Sequence, residues 1–300
     1  MRVVVIHHTK FVTTAVTAFV LCLFNGAAYA QETLELASVS AIAVEVDTGK
    51  TIFAKRADVV LPIASITKLM TALVVVESGA SMDEYLKIED WDAKQAKNAY
   101  SRIRIDSQAK RADLLRIALM SSENRAAYNL GVHYAGGVQG LVNAMNAKAV
   151  TLGMRDTHFA DPTGLSTENK SSAQDLAKMM IAAHAHPDIQ KFSTTRQHTV
   201  NFRKPRYRLG YGNTNPLLGS SRWQVSMTKT GYLTEAGRCL VMVTPIDGKP
   251  AAVVLLNSFG KRSPLGDAGR IRRWLQEGIK SKVATAAKAH EQRVSTALGL

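Results

Sequence analysis

Ser65 and Lys68 form the residue pair in this sequence best suited to covalent chemistry. They stand three positions apart at the start of residues 66–77, an apolar segment that predicts a buried helix, so both side chains lie on one helix face. A serine hydroxyl becomes an effective nucleophile when a base takes its proton. Lysine is such a base if its pKa falls by roughly 3 units from ~10.4, and the positive end of the helix or a second nearby cation lowers that pKa.

The S-x-x-K spacing is a weak signal by itself, because Ser107 and Lys110 repeat it. That second match lies in a polar, charged stretch just ahead of a helix, where we expect a solvated turn. For Ser65 the alternative is a helix N-cap serine beside an ordinary lysine. Further residues must therefore support a catalytic interpretation.

The triplet Ser122-Glu123-Asn124 follows an apolar segment that predicts a helix. A second hydroxyl here can pass a proton between Lys68 and a leaving amine, and the amide two positions later can hold the lysine or a substrate carbonyl. Taken alone, this triplet favours a helix cap followed by a polar turn.

A third triplet, Lys229-Thr230-Gly231, ends a β-rich run. A lysine at this point can be the second cation near Lys68 and can attract a substrate carboxylate, to which the Thr230 hydroxyl can donate a hydrogen bond. Because Gly231 has no side chain, an extended peptide can lie along the strand edge and pair with it. The alternative is an edge-strand lysine that only deters aggregation.

The three motifs in this order are those of the β-lactamases and penicillin-binding proteins, with glutamate at the variable centre of S-x-N. From about residue 41 to residue 274 the sequence resembles the low-molecular-mass penicillin-binding proteins, the serine D-alanyl-D-alanine peptidases. Residues 61–71 resemble the acylation segment of that family, and residues 161–165 resemble its Asp-Pro-Thr-Gly-Leu turn. Residues 119–127 are most similar to the endopeptidase branch, the penicillin-binding protein 7 type.

The resemblance implies a role for each catalytic residue. Ser65 would form the acyl-enzyme, Lys68 would be its general base, and Ser122 would relay the proton. The backbone N–H groups of Ser65 and Tyr232 would form the oxyanion hole.

The resemblance also implies the substrate and the residues that bind it. Asn124 would position a peptidoglycan stem peptide, and Lys229 with Thr230 would receive its carboxylate beside Gly231. β-Lactam antibiotics would act as covalent inhibitors. Arg238 and Arg262 are further candidates for carboxylate binding.

The reaction expected is hydrolysis of D-alanyl-D-alanine cross-links. Only 69 residues follow Gly231, whereas the carboxypeptidase branch usually adds a β-rich domain and a membrane anchor. A carboxypeptidase that trims stem peptides is the main alternative; a β-lactamase and a non-catalytic wall-binding module are further ones. Glu168 lies outside an E-x-x-L-N pattern, so we do not expect efficient penicillin hydrolysis.

No metal or other cofactor is predicted. His184-Ala185-His186 suggests a metal pair, but no third ligand stands at a useful spacing.

The elements that must position these residues predict an α+β fold of the β-lactamase/transpeptidase-like type, a five-stranded antiparallel sheet flanked by helices. Residues 39–57 predict a hairpin, and three strands follow near residues 225–230, 239–244 and 251–256, the last two joined by Asp247-Gly248. A mainly helical subdomain spans about residues 80–190. A final amphipathic helix begins near Asp267, with an apolar face made by Ile271, Trp274, Leu275 and Ile279.

The first 30 residues predict a cleavable signal peptide and hence a periplasmic protein. Arg2 and Lys10 precede an uncharged apolar run, and Ala28-Tyr29-Ala30 fits a cleavage site. The catalytic domain would then be residues 31–284, followed by a tail at 285–300. Without this leader Cys239 is the single cysteine, so an internal disulfide is excluded.

The formal net charge is +14, and +12 once Arg2 and Lys10 are removed. We expect this charge to favour at most a peripheral association with the wall or a membrane surface. Nucleic acid is not expected as a partner, because no aromatic-basic recognition motif is present.

Overall fold

An antiparallel sheet of five strands forms the frame of the protein. The computed structural model describes residues 1, 34–91 and 99–299. The strands are β1 (Ser38–Glu45), β2 (Thr51–Lys55), β3 (Leu61–Pro62), β4 (Tyr85–Lys87), β5 (Gln108–Lys110), β6 (Lys170–Ser171), β7 (Gln197–Phe202), β8 (Tyr207–Gly212), β9 (Met227–Leu233), β10 (Gly237–Ile246) and β11 (Lys249–Ser258). The large sheet has the order β2-β1-β11-β10-β9, and the other six strands form three two-stranded pairs.

Helices cover both faces of this sheet. The helices of the described residues are α1 (Thr67–Glu77), α2 (Arg111–Met120), α3 (Asn124–Val132), α4 (Gly137–Thr151), α5 (Ala173–His184), α6 (Pro187–Thr194), α7 (Ser263–Glu277) and α8 (Thr285–Leu298), with short 3-10 turns at Ala64–Ile66 and Pro216–Gly219. The chain divides into two units, Met1–Thr33 and Leu34–Leu300, and all the helices and strands named here belong to the second.

The apolar character of the central strands follows from their burial on both faces. Val241 and Val254 pair across β10 and β11 and belong to the core on the face that α5 covers. Their neighbours Leu240 and Leu255 point to the opposite face, where α7 covers them with Ile271. Because successive side chains point to opposite faces of a strand, a sheet covered on both sides requires nearly continuous apolar sequence. The α+β prediction and the five-stranded sheet are confirmed.

The last predicted helix differs at its ends. Helix α7 begins at Ser263, and Gly278 at φ 67° terminates it. Ile279 therefore lies beyond the helix and is 48% exposed, so its assignment to the apolar face was wrong.

The β7–β8 hairpin was not predicted. Buried Val200 and Phe202 alternate with exposed residues along β7, and the hairpin tip carries Arg203, Lys204 and Arg206. In the sequence this alternation is short, because the charged residues of the tip follow directly after Phe202.

Residues 285–298, which the sequence analysis assigned to a tail, form α8. Lys288 of this helix pairs with Glu35, and Glu291 pairs with Lys55 and Arg56 near strand β2. The predicted signal peptide lies, apart from Met1, outside the described residues. In the part of the chain that the structure describes, no helix is both long and apolar enough to cross a membrane.

Candidate active site

Ser65 lies in the 3-10 turn that leads into α1, and Lys68 lies in the first turn of that helix. The Lys68 Nζ is 2.9 Å from the Ser65 Oγ. Ala64, immediately before the serine, has a φ of 46°, which is an uncommon conformation for a residue with a side chain. The predicted proximity of the hydroxyl and the amine is present in the structure.

The Lys68 amine makes two further hydrogen bonds. It donates to the Asn124 Oδ1 at 2.7 Å and to the Thr163 carbonyl oxygen at 2.5 Å. The side chain is fully buried, and this burial lowers the pKa of Lys68 to about 7, while the charges of Asp161 and Glu123 act in the opposite direction. Burial, and not the predicted effect of the helix end or of a second cation, is the main cause of this lowered pKa.

The turn at residues 161–165 fixes the carbonyl group that Lys68 contacts. The Asp161 carboxylate accepts hydrogen bonds from the backbone N–H groups of Thr163 at 2.6 Å and of Gly164 and Ser166 at 2.7 Å each. Sequence reasoning related this turn to a family pattern but assigned it no contact. Its signal in the sequence was an aspartate followed by proline and glycine, which is typical of a tight turn.

Asn169 connects this turn to the start of α1. Its Oδ1 accepts from the N–H groups of Ala160 and Asp161, and its Nδ2 donates to the Thr67 Oγ1 at 3.0 Å. Asn169 is fully buried. Sequence reasoning missed it, because an isolated asparagine gives no indication of such distant partners.

Gly164 is required by a close approach to the 3-10 turn at Ala64–Ile66, which we call the serine turn. Its φ is +81°, and a Cβ atom built on it would lie 2.0 Å from the carbonyl oxygen of Ala64. Any side chain at this position would therefore displace the backbone just before Ser65.

Ser122 lies between α2 and α3, and Asn124 is the first residue of α3. Ser122 has a φ of 61°, and the Glu123 side chain caps α3 by accepting from the Arg125 N–H at 3.1 Å. Ser122 lines the same cleft as Ser65, and Asn124 contacts Lys68. The structure thus brings the second triplet together with the first.

Lys229 lies on β9, the edge strand beside the serine turn. It is fully buried, and its Nζ donates to the carbonyl oxygen of Thr230 at 2.8 Å. Burial, followed by the charge of Lys68, places the pKa of Lys229 well below its usual value. The Thr230 hydroxyl shares a 2.6 Å hydrogen bond with the hydroxyl of Thr214.

Gly231 allows β9 to approach Ser65. A Cβ atom at Gly231 would lie 3.1 Å from the carbonyl oxygen of Ile63 and 3.2 Å from the backbone nitrogen of Ser65. Besides the predicted room for a substrate strand, the absence of a side chain at Gly231 therefore allows contact with the serine turn itself. The next residue, Tyr232, is 51% exposed, and the Arg238 guanidinium stacks 3.7 Å from its ring centre.

These residues surround one cleft of about 630 Å³. The predicted site residues that line it are Ser65, Ser122, Asn124, Thr230, Gly231 and Tyr232. Among the described residues, its lining includes no carboxylate and three cations, Arg238, Lys261 and Arg262. The cleft therefore suits an acyl compound that bears a negative charge.

The second S-x-x-K pair is structural. The Ser107 Oγ donates to the Arg104 carbonyl oxygen at 2.6 Å and is fully buried, so the predicted solvated turn was wrong. Lys110 pairs with Asp83 at 2.7 Å, and the hydrogen bond to that carboxylate raises the pKa of Lys110. The pKa values of the two lysines shift in opposite directions. Lys68 is buried without a directly paired carboxylate, whereas Lys110 is partly exposed and paired with Asp83.

The remaining candidates lie away from the cleft. Glu168 is mostly exposed and pairs with Lys170 at 3.2 Å. His184 contacts the Ser226 hydroxyl at 3.0 Å, and His186 lies 3.5 Å from Glu77. Within the described ranges, no cluster of three or more histidine, cysteine or acidic side chains is arranged to hold a metal ion.

Comparisons of sequence point to one family. The profile of a family described as D-alanyl-D-alanine carboxypeptidase matches residues 27–260. D-alanyl-D-alanine endopeptidases from Pseudomonas aeruginosa and Escherichia coli K12 are each 46% identical to this chain. The two alignments cover 89% and 86% of this chain and 86% and 84% of those proteins.

Comparisons of structure agree. The Streptomyces K15 DD-transpeptidase is similar with a TM-score of 0.75 at 27% identity, over 80% of this chain and 97% of that one. Penicillin-binding protein D2 from Listeria monocytogenes, in its cefotaxime-bound form, is similar with a TM-score of 0.69 at 28% identity. That match covers 80% of this chain and 98% of the Listeria protein.

Proposed function

Because the chain belongs to the family of D-alanyl-D-alanine carboxypeptidases, we propose that it is a penicillin-sensitive serine D-alanyl-D-alanine endopeptidase. It hydrolyses peptidoglycan cross-links through an acyl-enzyme on Ser65. The 2.9 Å contact between Ser65 and a buried Lys68 of lowered pKa carries this proposal. The 46% identity to two endopeptidases favours cross-links as the bond that is cut.

Acylation begins with a proton transfer. Neutral Lys68 takes the Ser65 proton, and the Oγ attacks the carbonyl carbon of the D-alanine. The N–H groups of Ser65 and Tyr232 stabilise the oxyanion. Ser122 passes a proton to the leaving amine as the C–N bond breaks.

Deacylation completes the hydrolysis. Water attacks the ester carbonyl and loses its proton to Lys68, and the Ser65 oxygen leaves and regains a proton. One peptide bond and one water molecule give one carboxylic acid and one amine. Because no carboxylate lines the cleft among the described residues, deacylation of a penicillin would be slow, and β-lactams would act as covalent inhibitors.

Substrate binding uses the β9 side of the cleft. Asn124 orients the peptide, Gly231 leaves room along the strand, and Lys229 with Thr230 receives the carboxylate. Arg238 and Arg262 line the same cleft and add positive charge. The site lies in a periplasmic catalytic domain, residues 31–284, exported by a signal peptide at residues 1–30.

Labelling with a fluorescent penicillin tests the acyl-enzyme. We expect stable labelling of the wild type, none with Ser65→Ala or Lys68→Met, and full labelling with Lys110→Met, which removes the other S-x-x-K lysine. An unlabelled wild type would reject the acyl-enzyme, and rapid loss of label would indicate a β-lactamase.

Digestion of cross-linked dimeric muropeptides tests which bond is cut. An endopeptidase converts dimers to monomers. Release of D-alanine with the cross-links left intact would instead support a carboxypeptidase, the activity in the family description.

A further inference from the structure

A second, smaller groove lies beside the catalytic cleft. Its volume is about 250 Å³, and its lining includes Arg102, Ser121, Glu123 and residues 210–212. We call it the Glu123 groove. Ser121 and Glu123 are the two neighbours of Ser122, which lines the cleft. Consecutive residues of one short segment therefore line the cleft and the groove.

One basic and one acidic residue, Arg102 and Glu123, line the groove. Arg102 stacks 5.2 Å from the Tyr211 ring centre and donates to the Gly210 carbonyl oxygen at 2.7 Å. Burial raises the pKa of the Tyr211 phenol, the charge of Glu123 raises it further, and the charge of Arg102 lowers it. All three side chains belong to residues that line the groove. No ion pair joins Arg102 to Glu123 in the described part of the chain.

The polar groups of the groove have unused hydrogen-bonding capacity. Tyr211 is only 8% exposed, yet its hydroxyl has no hydrogen-bond partner among the described residues. Buried hydroxyls are nearly always paired in folded proteins. The Glu123 carboxylate accepts from the Arg125 N–H and the Ser101 side chain, which leaves acceptor sites available.

The glycines on either side of Tyr211 keep the groove open. A Cβ atom built on Gly210 or on Gly212 would meet no atom within 4 Å. The wall formed by this strand is therefore bare backbone and one phenol, with space for a ligand side chain.

We propose that the Glu123 groove binds the end of a stem-peptide side chain that carries both an ammonium and a carboxylate group. Glu123 accepts hydrogen bonds from the ammonium, Arg102 donates to the carboxylate, and the unpaired Tyr211 hydroxyl offers a further hydrogen bond. The proposal rests on the proposed function, because the same peptide is the one acylated at Ser65. It makes the central residue of the S-x-N triplet a determinant of substrate choice.

Competition against penicillin labelling tests the groove without depending on which bond is cut. Three peptides ending in D-Ala-D-Ala carry diaminopimelic acid, lysine or Nε-acetyl-lysine as the preceding residue. These side chains offer both charges, the ammonium alone, and neither. We expect the diaminopimelyl peptide to compete at least about tenfold better than the acetyl-lysyl peptide, with lysine between them, as charge-assisted hydrogen bonds of this kind provide.

Two variants separate the contributions of the two charges. Glu123→Gln should bring the lysyl to acetyl-lysyl ratio towards one, and Arg102→Met should do the same for the diaminopimelyl to lysyl ratio. Because each ratio is taken within one variant, a change in labelling rate cancels. Asp83→Asn removes an exposed carboxylate outside the groove and should leave both ratios as in the wild type.

Equal competition by the three peptides on the wild type would overturn the proposal. Unchanged ratios in both variants would also overturn it, because the discrimination would then arise elsewhere. If penicillin no longer labels the Glu123→Gln variant, the diaminopimelyl to lysyl ratio of the Arg102→Met variant decides whether the proposal stands. Arg102 does not line the cleft, so we expect this variant to be labelled. A wild type that does not label at all would instead reject the proposed function.

Discussion

At the scale of single residues, burial distinguishes Lys68 from the other lysine of an S-x-x-K motif. A buried amine that donates to neutral oxygens loses hydration without gaining a directly paired carboxylate, so its charged form is disfavoured. Lys110 remains accessible to water and forms an ion pair with Asp83. The same spacing thus gives a buried lysine of lowered pKa in one place and a surface ion pair in the other.

The pH dependence of acylation should report this difference. Only neutral Lys68 accepts the Ser65 proton, so the rate should rise with pH through about 7 and then level off. An unperturbed lysine would place the rise near 10.5. Stopped-flow acylation by a penicillin between pH 5 and 9 measures the profile; a rate that does not change across this range would contradict the assignment of Lys68 as base.

At the scale of elements, the serine turn is held between two other segments. Gly164 of the 161–165 turn lies close to the backbone of Ala64, and Gly231 of β9 lies close to the backbone of Ile63 and Ser65. Asn169 ties the first of these segments to α1 through Thr67. The positions of Ser65 and of the Thr163 carbonyl group therefore depend on tertiary contacts more than on α1 alone.

Asn169→Ala tests this dependence. The change leaves the N–H groups of Ala160 and Asp161 without their acceptor, which costs about 1–3 kcal/mol of stability. We expect the Tm to fall by several degrees and penicillin acylation to slow by about tenfold or more. Asn143→Ala, which removes an exposed amide of α4, is the control and should change neither quantity. A lowered Tm with unchanged acylation would show that Asn169 only stabilises the fold.

At the scale of the whole molecule, uncompensated positive charge lies near the β7–β8 hairpin. Arg102, Arg104, Arg203, Lys204, Arg206 and Arg208 carry this charge. None of the six has an ion-pair partner within the described ranges 34–91 and 99–299. This surface continues from the wall of the Glu123 groove, which Arg102 and Gly210 line.

We predict that this surface contributes to wall association. Lys204→Ser combined with Arg206→Ser should weaken co-sedimentation with isolated peptidoglycan several-fold at low salt, and added salt should reduce the difference. Lys50→Ser with Lys191→Ser makes the same change of net charge at other exposed sites. Equal weakening by both pairs would assign the effect to net charge alone.

Helix α8 supports the fold without lining the cleft. Its contacts include the Lys288–Glu35 ion pair at 2.6 Å and the His290–Asn257 hydrogen bond at 2.7 Å. Removal of residues 285–300 should lower the Tm by a few degrees, because exposed ion pairs contribute little each, and should leave penicillin labelling intact. Loss of labelling in a folded truncated protein would connect α8 to the site.

The sequence by itself determined the frame and the chemistry. Runs of β-rich apolar residues bounded by turn residues predicted the five strands and the Asp247-Gly248 hairpin, because strand burial and positive φ restrict residue types locally. The order of the three short motifs indicated the serine site. Each of these signals lies within a few consecutive residues.

Only the tertiary structure decided which groups surround the amine of Lys68. Its contact with the Thr163 carbonyl group joins residues 95 positions apart, and the amide of Asn169 reaches Thr67 across 102 positions. Every residue has a backbone carbonyl group, so no sequence motif could identify the one that contacts Lys68. The lowered pKa of Lys68 likewise follows from desolvation, which packing creates from many distant side chains together. For Ser65 and Lys68, the sequence indicated the proposed nucleophile and its proposed base, and the fold supplies the burial that lowers the pKa of Lys68.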